Sequence, residues 1–220
     1  MQVLCVGDSL GMPRVNVPYE STWFYRLSHS YPGIDFIPKF KRRLTSDEIL
    51  TPDYSSLYTP DIVILQIGIC DCAPRLYKRD SLICIILERV FGKYFFKIIK
   101  RVRKRHPKYA DVSVDDFRTN LQCYYDSIRG IPSFKQLIII LIGASNNKEL
   151  LIQSPLWHDS IDKYNQILCS FDRFNDVTVI NPLEGLSEDC FVEDGYHTNS
   201  KGNEVVFYEL KRILNEYVKL

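Results

Sequence analysis

The 220-residue sequence contains no C-x-x-C pair, and its seven cysteines are an odd number spread from Cys5 to Cys190. An odd count cannot be fully satisfied by internal disulfides and no second cluster completes a zinc site, so buried or free thiols in a reducing compartment are expected. Cys70 and Cys72 are the one close pair, with no histidine near them at ligand spacing. No apolar run reaches the ~20 residues needed to cross a bilayer. The start, Met-Gln-Val-Leu-Cys-Val-Gly, lacks the basic and apolar stretches of a signal peptide, so a cytoplasmic protein is expected. There is no internal repeat and no Gly/Ser- or Pro-rich linker, which leaves one domain over 1–220. A formal net charge of +1 gives no whole-chain attraction to nucleic acid, and no nucleic-acid reading motif is present.

What is present suits an ordinary core. Hydrophobic residues make up 45% and charged residues 25%, and a chain of this length buries roughly 70% of its unfolded surface. Short Val/Ile/Leu-rich runs bounded by Gly, Pro, Asn or Asp predict strands at Gln2–Val6, Asp35–Ile37, Asp61–Ile67, Gln136–Ile142 and Val177–Ile180. Longer patterns with helical period predict helices at Ser21–Ser30, Thr45–Leu50, Ser81–Arg105, Val114–Arg129, His158–Phe171 and Ser200–Tyr217. This alternation predicts an α/β fold: a parallel sheet of about five strands between two helical layers, a three-layer α/β/α sandwich. Sites in such sheets lie beyond the carboxyl ends of the strands.

One segment departs from the even charge distribution. Eight lysines and arginines fall between Lys93 and Lys108 without an acidic residue, on an amphipathic pattern that runs through 81–108. Two readings fit this stripe. It is either the solvated face of a surface helix or a docking face for an anionic membrane surface or an acidic partner, which would make the protein peripheral to a membrane.

The chemistry concentrates at two places. Gly7-Asp8-Ser9-Leu10 follows the first strand and presents a serine hydroxyl at the carboxyl edge of the sheet. Asp194-Gly195-Tyr196-His197 precedes the final helix, and its loop spacing lets the carboxylate fold back onto the imidazole. Together Ser9, His197 and Asp194 have the chemical sense of a catalytic triad: nucleophile, base and orienting carboxylate.

In these blocks, and in Gln66-Ile67-Gly68-Ile69-Cys70-Asp71, the chain resembles the SGNH hydrolases, the GDSL esterase and lipase family. The resemblance spans nearly the whole chain. It implies a flavodoxin-like parallel sheet, ester cleavage through an acyl-enzyme on Ser9, and no metal or organic cofactor. Two departures bear on the oxyanion hole, which the resemblance assigns to Ser9, Arg43 and Cys70. Cys70 stands where the family's third block has an asparagine donor, and a thiol is a weak donor. No glycine lies between Gly33 and Gly68, so Arg43 is by position the counterpart of the second-block glycine. Asn146 or Asn147, just past the fourth strand, or an arginine would be the substitutes for a missing donor.

Arg14 and Arg75 follow the nucleophile turn and the third strand, so both are expected on the active edge. They suit an anionic group on the substrate, or else ion pairs with Asp8 or Asp71. With no long apolar lid, the expected substrate is a short acyl ester, such as an acetyl group on a carbohydrate or polysaccharide intermediate, and small family members act in polysaccharide modification. The same triad would also serve an acyltransferase. A third reading, favoured by Cys70 and Arg43, is a catalytically weak binding module of this fold in polysaccharide or cell-envelope assembly.

Overall fold

The computed structural model describes residues 1–74, 86, 89–92, 110–146, 152 and 154–218. Five strands, β1 (Gln2–Gly7), β2 (Asp35–Phe40), β3 (Ile62–Gln66), β4 (Gln136–Ile140) and β5 (Val177–Ile180), form one parallel sheet in the order β2-β1-β3-β4-β5. That order is the flavodoxin-like one, and the three-layer expectation holds.

Alternation along each strand divides the core. Leu4, Val6, Val63, Leu65, Leu137 and Ile139 face one layer, built from α3 (Val114–Arg129) and α4 (Trp157–Cys169). Val3, Cys5, Ile62, Ile64, Ile138 and Ile140 face the other, built from α1 (Trp23–Ser30) and α5 (Ser200–Val218). β3 and β4 are buried on both faces throughout and are apolar except at Gln66 and Gln136, whose side chains are hydrogen-bonded to Trp23 and Thr178.

Three local differences from the sequence expectations have physical causes. The second strand runs on to Phe40 through Pro38, because β2 is the sheet edge, where a proline does not break a central ladder. The segment Thr45–Leu50 is not an α-helix but ends in a 3-10 turn, Glu48–Leu50. There the Glu48 carboxylate accepts from the Thr45 N–H at 3.1 Å, and Pro52 begins a separate turn. A short helix, α2 (Ile69–Cys72), follows β3 where none was expected. Of the predicted helix Ser81–Arg105 only Ile86 and residues 89–92 are described, all helical. The basic stripe 93–108, Arg75 and Asn147 lie outside the described residues. Among the described residues no helix is long and apolar enough to cross a membrane, and no group of three or more His, Cys, Asp or Glu side chains could hold a metal ion.

Candidate active site

Strand order reverses between β1 and β3, and the crevice at such a switch point is where this architecture places its chemistry. Ser9 sits there, the first residue of a 3-10 turn that leaves β1. The turn is shaped by Asp8, whose Oδ1 accepts from the Leu10 N–H at 2.8 Å, and the Asp8 N–H donates to the Gln66 carbonyl at the end of β3 at 3.2 Å.

The histidine arrives from the other end of the chain. Asp194 Oδ1 accepts from the N–H groups of Tyr196 (3.2 Å) and His197 (3.0 Å), closing a tight loop around Gly195. Asp194 Oδ2 lies 2.7 Å from His197 Nδ1, and His197 Nε2 lies 3.0 Å from Ser9 Oγ. Residues 188 apart in sequence are thereby joined in one relay. The Ser145 N–H donates to the Gly195 carbonyl at 2.7 Å, tying the loop to the segment after β4.

A chain of buried hydrogen bonds fixes the two halves to each other. Gln66 Oε1 accepts from Trp23 Nε1 at 3.0 Å. The Trp23 N–H donates to Asn203 Oδ1 at 3.0 Å, and Asn203 Nδ2 donates to Thr198 Oγ1 at 3.0 Å. The path runs from the nucleophile turn through β3, the start of α1 and the first turn of α5 to the residue after His197. Trp157 and Tyr196 pack ring to ring at 5.3 Å, and Tyr196 lies over His197 at 4.4 Å.

The electrostatics suit a base. Burial pushes His197 below the ordinary imidazole range; the hydrogen bond and charge of Asp194 oppose this, and the Arg14 cation adds to it. Burial raises the Asp194 carboxyl, but the hydrogen bonds from His197 outweigh it and hold the group below the usual carboxylate range. His197 is therefore neutral near neutral pH, with its Nδ1 proton facing an ionised carboxylate.

Arg14 lies against both His197 and Asp194. Its Nη2 contacts His197 Nε2 and its Nη1 is 3.7 Å from Asp194 Oδ2. Arg14 pairs with Asp194, a partner the sequence could not indicate because the two are brought together only by the fold, and its charge also acts on Asp8, one of the two aspartates expected.

Arg43 has φ +63°, and among the described residues it is the one non-glycine in the left-handed region. A glycine would adopt that conformation without strain. Cys70 is half-buried in α2, the helix that Gly68 opens at φ +110°. A Cβ on Gly68 would come within 2.7 Å of Ile142 Cδ1, so that turn requires glycine. Asn146 is exposed beside Ser145, next to the Asp194–His197 loop.

Two features escaped the sequence reading. Asp8 and Asp71 are both fully buried and each keeps one carboxylate oxygen without a hydrogen-bond partner. Burial, opposed by the Leu10 N–H and reinforced by the charge of Asp71, raises Asp8 to about 8. Burial likewise raises Asp71 to about 6, against hydrogen bonding from Ser46. An acidic residue in a turn motif carries no sequence signal of complete burial.

No protein-family model matches the sequence, and no curated protein sequence matches it. Solved structures do. A carbohydrate acetylesterase from Sinorhizobium meliloti superposes with a TM-score of 0.65 at 13% identity, over 98% of this chain and 99% of that one. A catalytic mutant of an acetylxylan esterase from Geobacillus stearothermophilus gives 0.63 at 14% identity, over 96% and 92%. A protein of the G-D-S-L family from Desulfitobacterium hafniense DCB-2 gives 0.64 at 12% identity, over 96% and 98%. At these identities the likeness is one of architecture, and over its length the chain has the fold of these G-D-S-L-type and acetylesterase structures.

Proposed function

We propose that the protein is a serine ester hydrolase that removes a short acyl group, most simply acetyl, from a carbohydrate. The observation that carries this reading is the continuous relay from Ser9 Oγ through His197 to Asp194, with links of 3.0 and 2.7 Å. Ser9 Oγ attacks the ester carbonyl as His197 Nε2 takes its proton. Asp194 keeps the other ring proton on Nδ1 and stabilises the imidazolium as it forms. The imidazolium then returns the proton to the departing alcohol, leaving acyl-Ser9. Water attacks this ester in the second half-reaction, with His197 again taking and returning a proton, and the carboxylic acid is released. The N–H of Ser9 and donors of the Arg43 and Cys70 segments are assigned to the oxyanion.

Two things support the carbohydrate acetyl ester: acetylesterases are among the solved structures of the same fold, and the sequence has no long apolar lid. The test is labelling by a serine-directed fluorophosphonate, run beside hydrolysis of para-nitrophenyl acetate and octanoate and of acetylated xylo-oligosaccharides. Labelling that disappears in Ser9→Ala, with acetate preferred to octanoate, is expected. An unlabelled wild-type protein would overturn the reading.

A further inference from the structure

The imidazole lone pair that must receive the Ser9 proton has two claimants. Ser9 Oγ lies 3.0 Å from His197 Nε2, and Arg14 Nη2 contacts the same nitrogen. A neutral imidazole protonated at Nδ1 offers one acceptor site, and a guanidinium never gives up its protons. While Arg14 is in place the base is occupied. The imidazolium of the transition state would also form against a cation, which is the wrong sign of stabilisation for catalysis.

The surroundings of Arg14 leave its side chain free to exchange partners while its backbone stays fixed. Its backbone is pinned by two hydrogen bonds with Val17, at 2.8 and 3.0 Å, so the turn keeps its place when the side chain changes partner. The side chain is about one-third exposed, its Nε is buried without an acceptor, and its contact with Asp194 is a loose 3.7 Å. The planar donor fork of this guanidinium is thus only partly spent beside His197 and Asp194. Its natural acceptor is an oxyanion with two parallel oxygens.

Resting on the esterase reading above, we propose that Arg14 is a substrate-operated latch: a carboxylate or phosphate on the ester substrate draws its guanidinium off His197, frees Nε2 for the Ser9 proton, and so selects anionic esters. The substrate class narrows from acylated carbohydrates to acidic ones. The anion supplies what the latch lacks, a bidentate partner, and removes the positive charge from the developing imidazolium in the same movement.

The test compares three esters of one shape, para-acetoxybenzoate, para-acetoxyphenyl phosphate and the neutral para-acetoxybenzamide, on wild type, Arg14→Gln and Arg14→Lys. Wild type is expected to favour at least one anionic ester in kcat/KM by about tenfold or more, the scale of one charge-assisted hydrogen bond. The better of the two identifies the oxyanion. Arg14→Gln should erase the preference while raising turnover of the neutral amide, and Arg14→Lys should keep only part of it. Equal handling of all three esters by wild type, or a Gln variant that scales all three by one factor, would overturn the latch. Calorimetric binding of para-hydroxybenzoate, para-hydroxyphenyl phosphate and para-hydroxybenzamide to Ser9→Ala, with and without Arg14→Gln, reads the anion site without turnover. Binding of an anionic product that is lost with Arg14 supports the site, and equal binding of all three products overturns it. Fluorophosphonate labelling separates the two claims: a labelled Ser9 with no anion preference removes the latch alone, whereas an unlabelled Ser9 removes the esterase.

Discussion

Asp194 holds His197 at two points, accepting from the backbone N–H with Oδ1 at 3.0 Å and facing the ring nitrogen Nδ1 with Oδ2 at 2.7 Å. One oxygen shapes the loop and the other sets the tautomer, so the two roles are separable by mutation. Asp194→Asn retains an oxygen for the loop N–H groups but loses the charge facing Nδ1. It should lower kcat by roughly 10⁴-fold, the scale seen when a triad carboxylate is neutralised, while thermal melting stays near wild type. Asp194→Ala should lose activity and also melt earlier, because the N–H groups of Tyr196 and His197 lose their acceptor. Equal melting of the two variants would argue against the loop role.

In the proposed reaction, with His197 as the base, its depressed basicity is expected to set the acid limit. Activity needs the neutral imidazole, so kcat/KM should fall only below the ordinary imidazole range, and the midpoint of that limb reports His197. Removing the Arg14 cation removes one of the influences that lower it, so in Arg14→Gln the limb should move to higher pH. A limb that stays in place, measured on the neutral ester, would mean that the guanidinium does not bear on the histidine's charge.

Cys70 offers a gain-of-function prediction. If the second residue of α2 faces the oxyanion as the third block implies, Cys70→Asn exchanges a weak thiol donor for an amide N–H. An oxyanion donor is worth about 10²-fold or more in kcat in comparable acyl-transfer enzymes. Cys70→Asn should therefore raise kcat with little change in KM. An unchanged kcat would show that this side chain does not reach the reacting carbonyl.

Where local rules decide, the sequence could be read closely. Val114–Arg129 is a complete helix signal: Ser113 Oγ accepts from the Asp116 N–H at 3.1 Å, acids fill the first turn, Arg129 ends it and Gly130 caps it. Val177–Ile180 is a short apolar run between turn residues, and both of its ends coincide with the strand. The Asp194 to His197 contact was equally accessible, since a loop three residues long leaves the carboxylate few other places to go. Features that depend on distant segments were not. The four-residue α2 has too few turns to show a period, and Pro38 ends a strand by local propensity but not at a sheet edge. Arg14 meets His197 across 183 positions of sequence, and no spacing rule connects them. The burial of Asp8 and Asp71 follows from tertiary packing, which neither G-D-S nor C-D-C announces.

That burial has a consequence for stability. Asp8 titrates in the folded protein at about 8, far above an exposed aspartate. Between the two values the unfolded chain has released its proton and the folded protein still holds it, so folding is linked to proton binding. Stability should therefore fall as pH rises from the exposed-carboxyl range to about 8 and then level off, the opposite of a salt-bridged carboxylate. Asp8→Asn removes the ionisation but keeps an Oδ1 acceptor for the Leu10 N–H, which lies 2.8 Å from the present oxygen. The variant should melt close to wild type in mild acid and above it at pH 8 and beyond. Urea unfolding of both proteins across this range checks the sign: a difference that shrinks as pH rises would mean that Asp8 is already ionised in the folded state and is held there by charges other than its own turn.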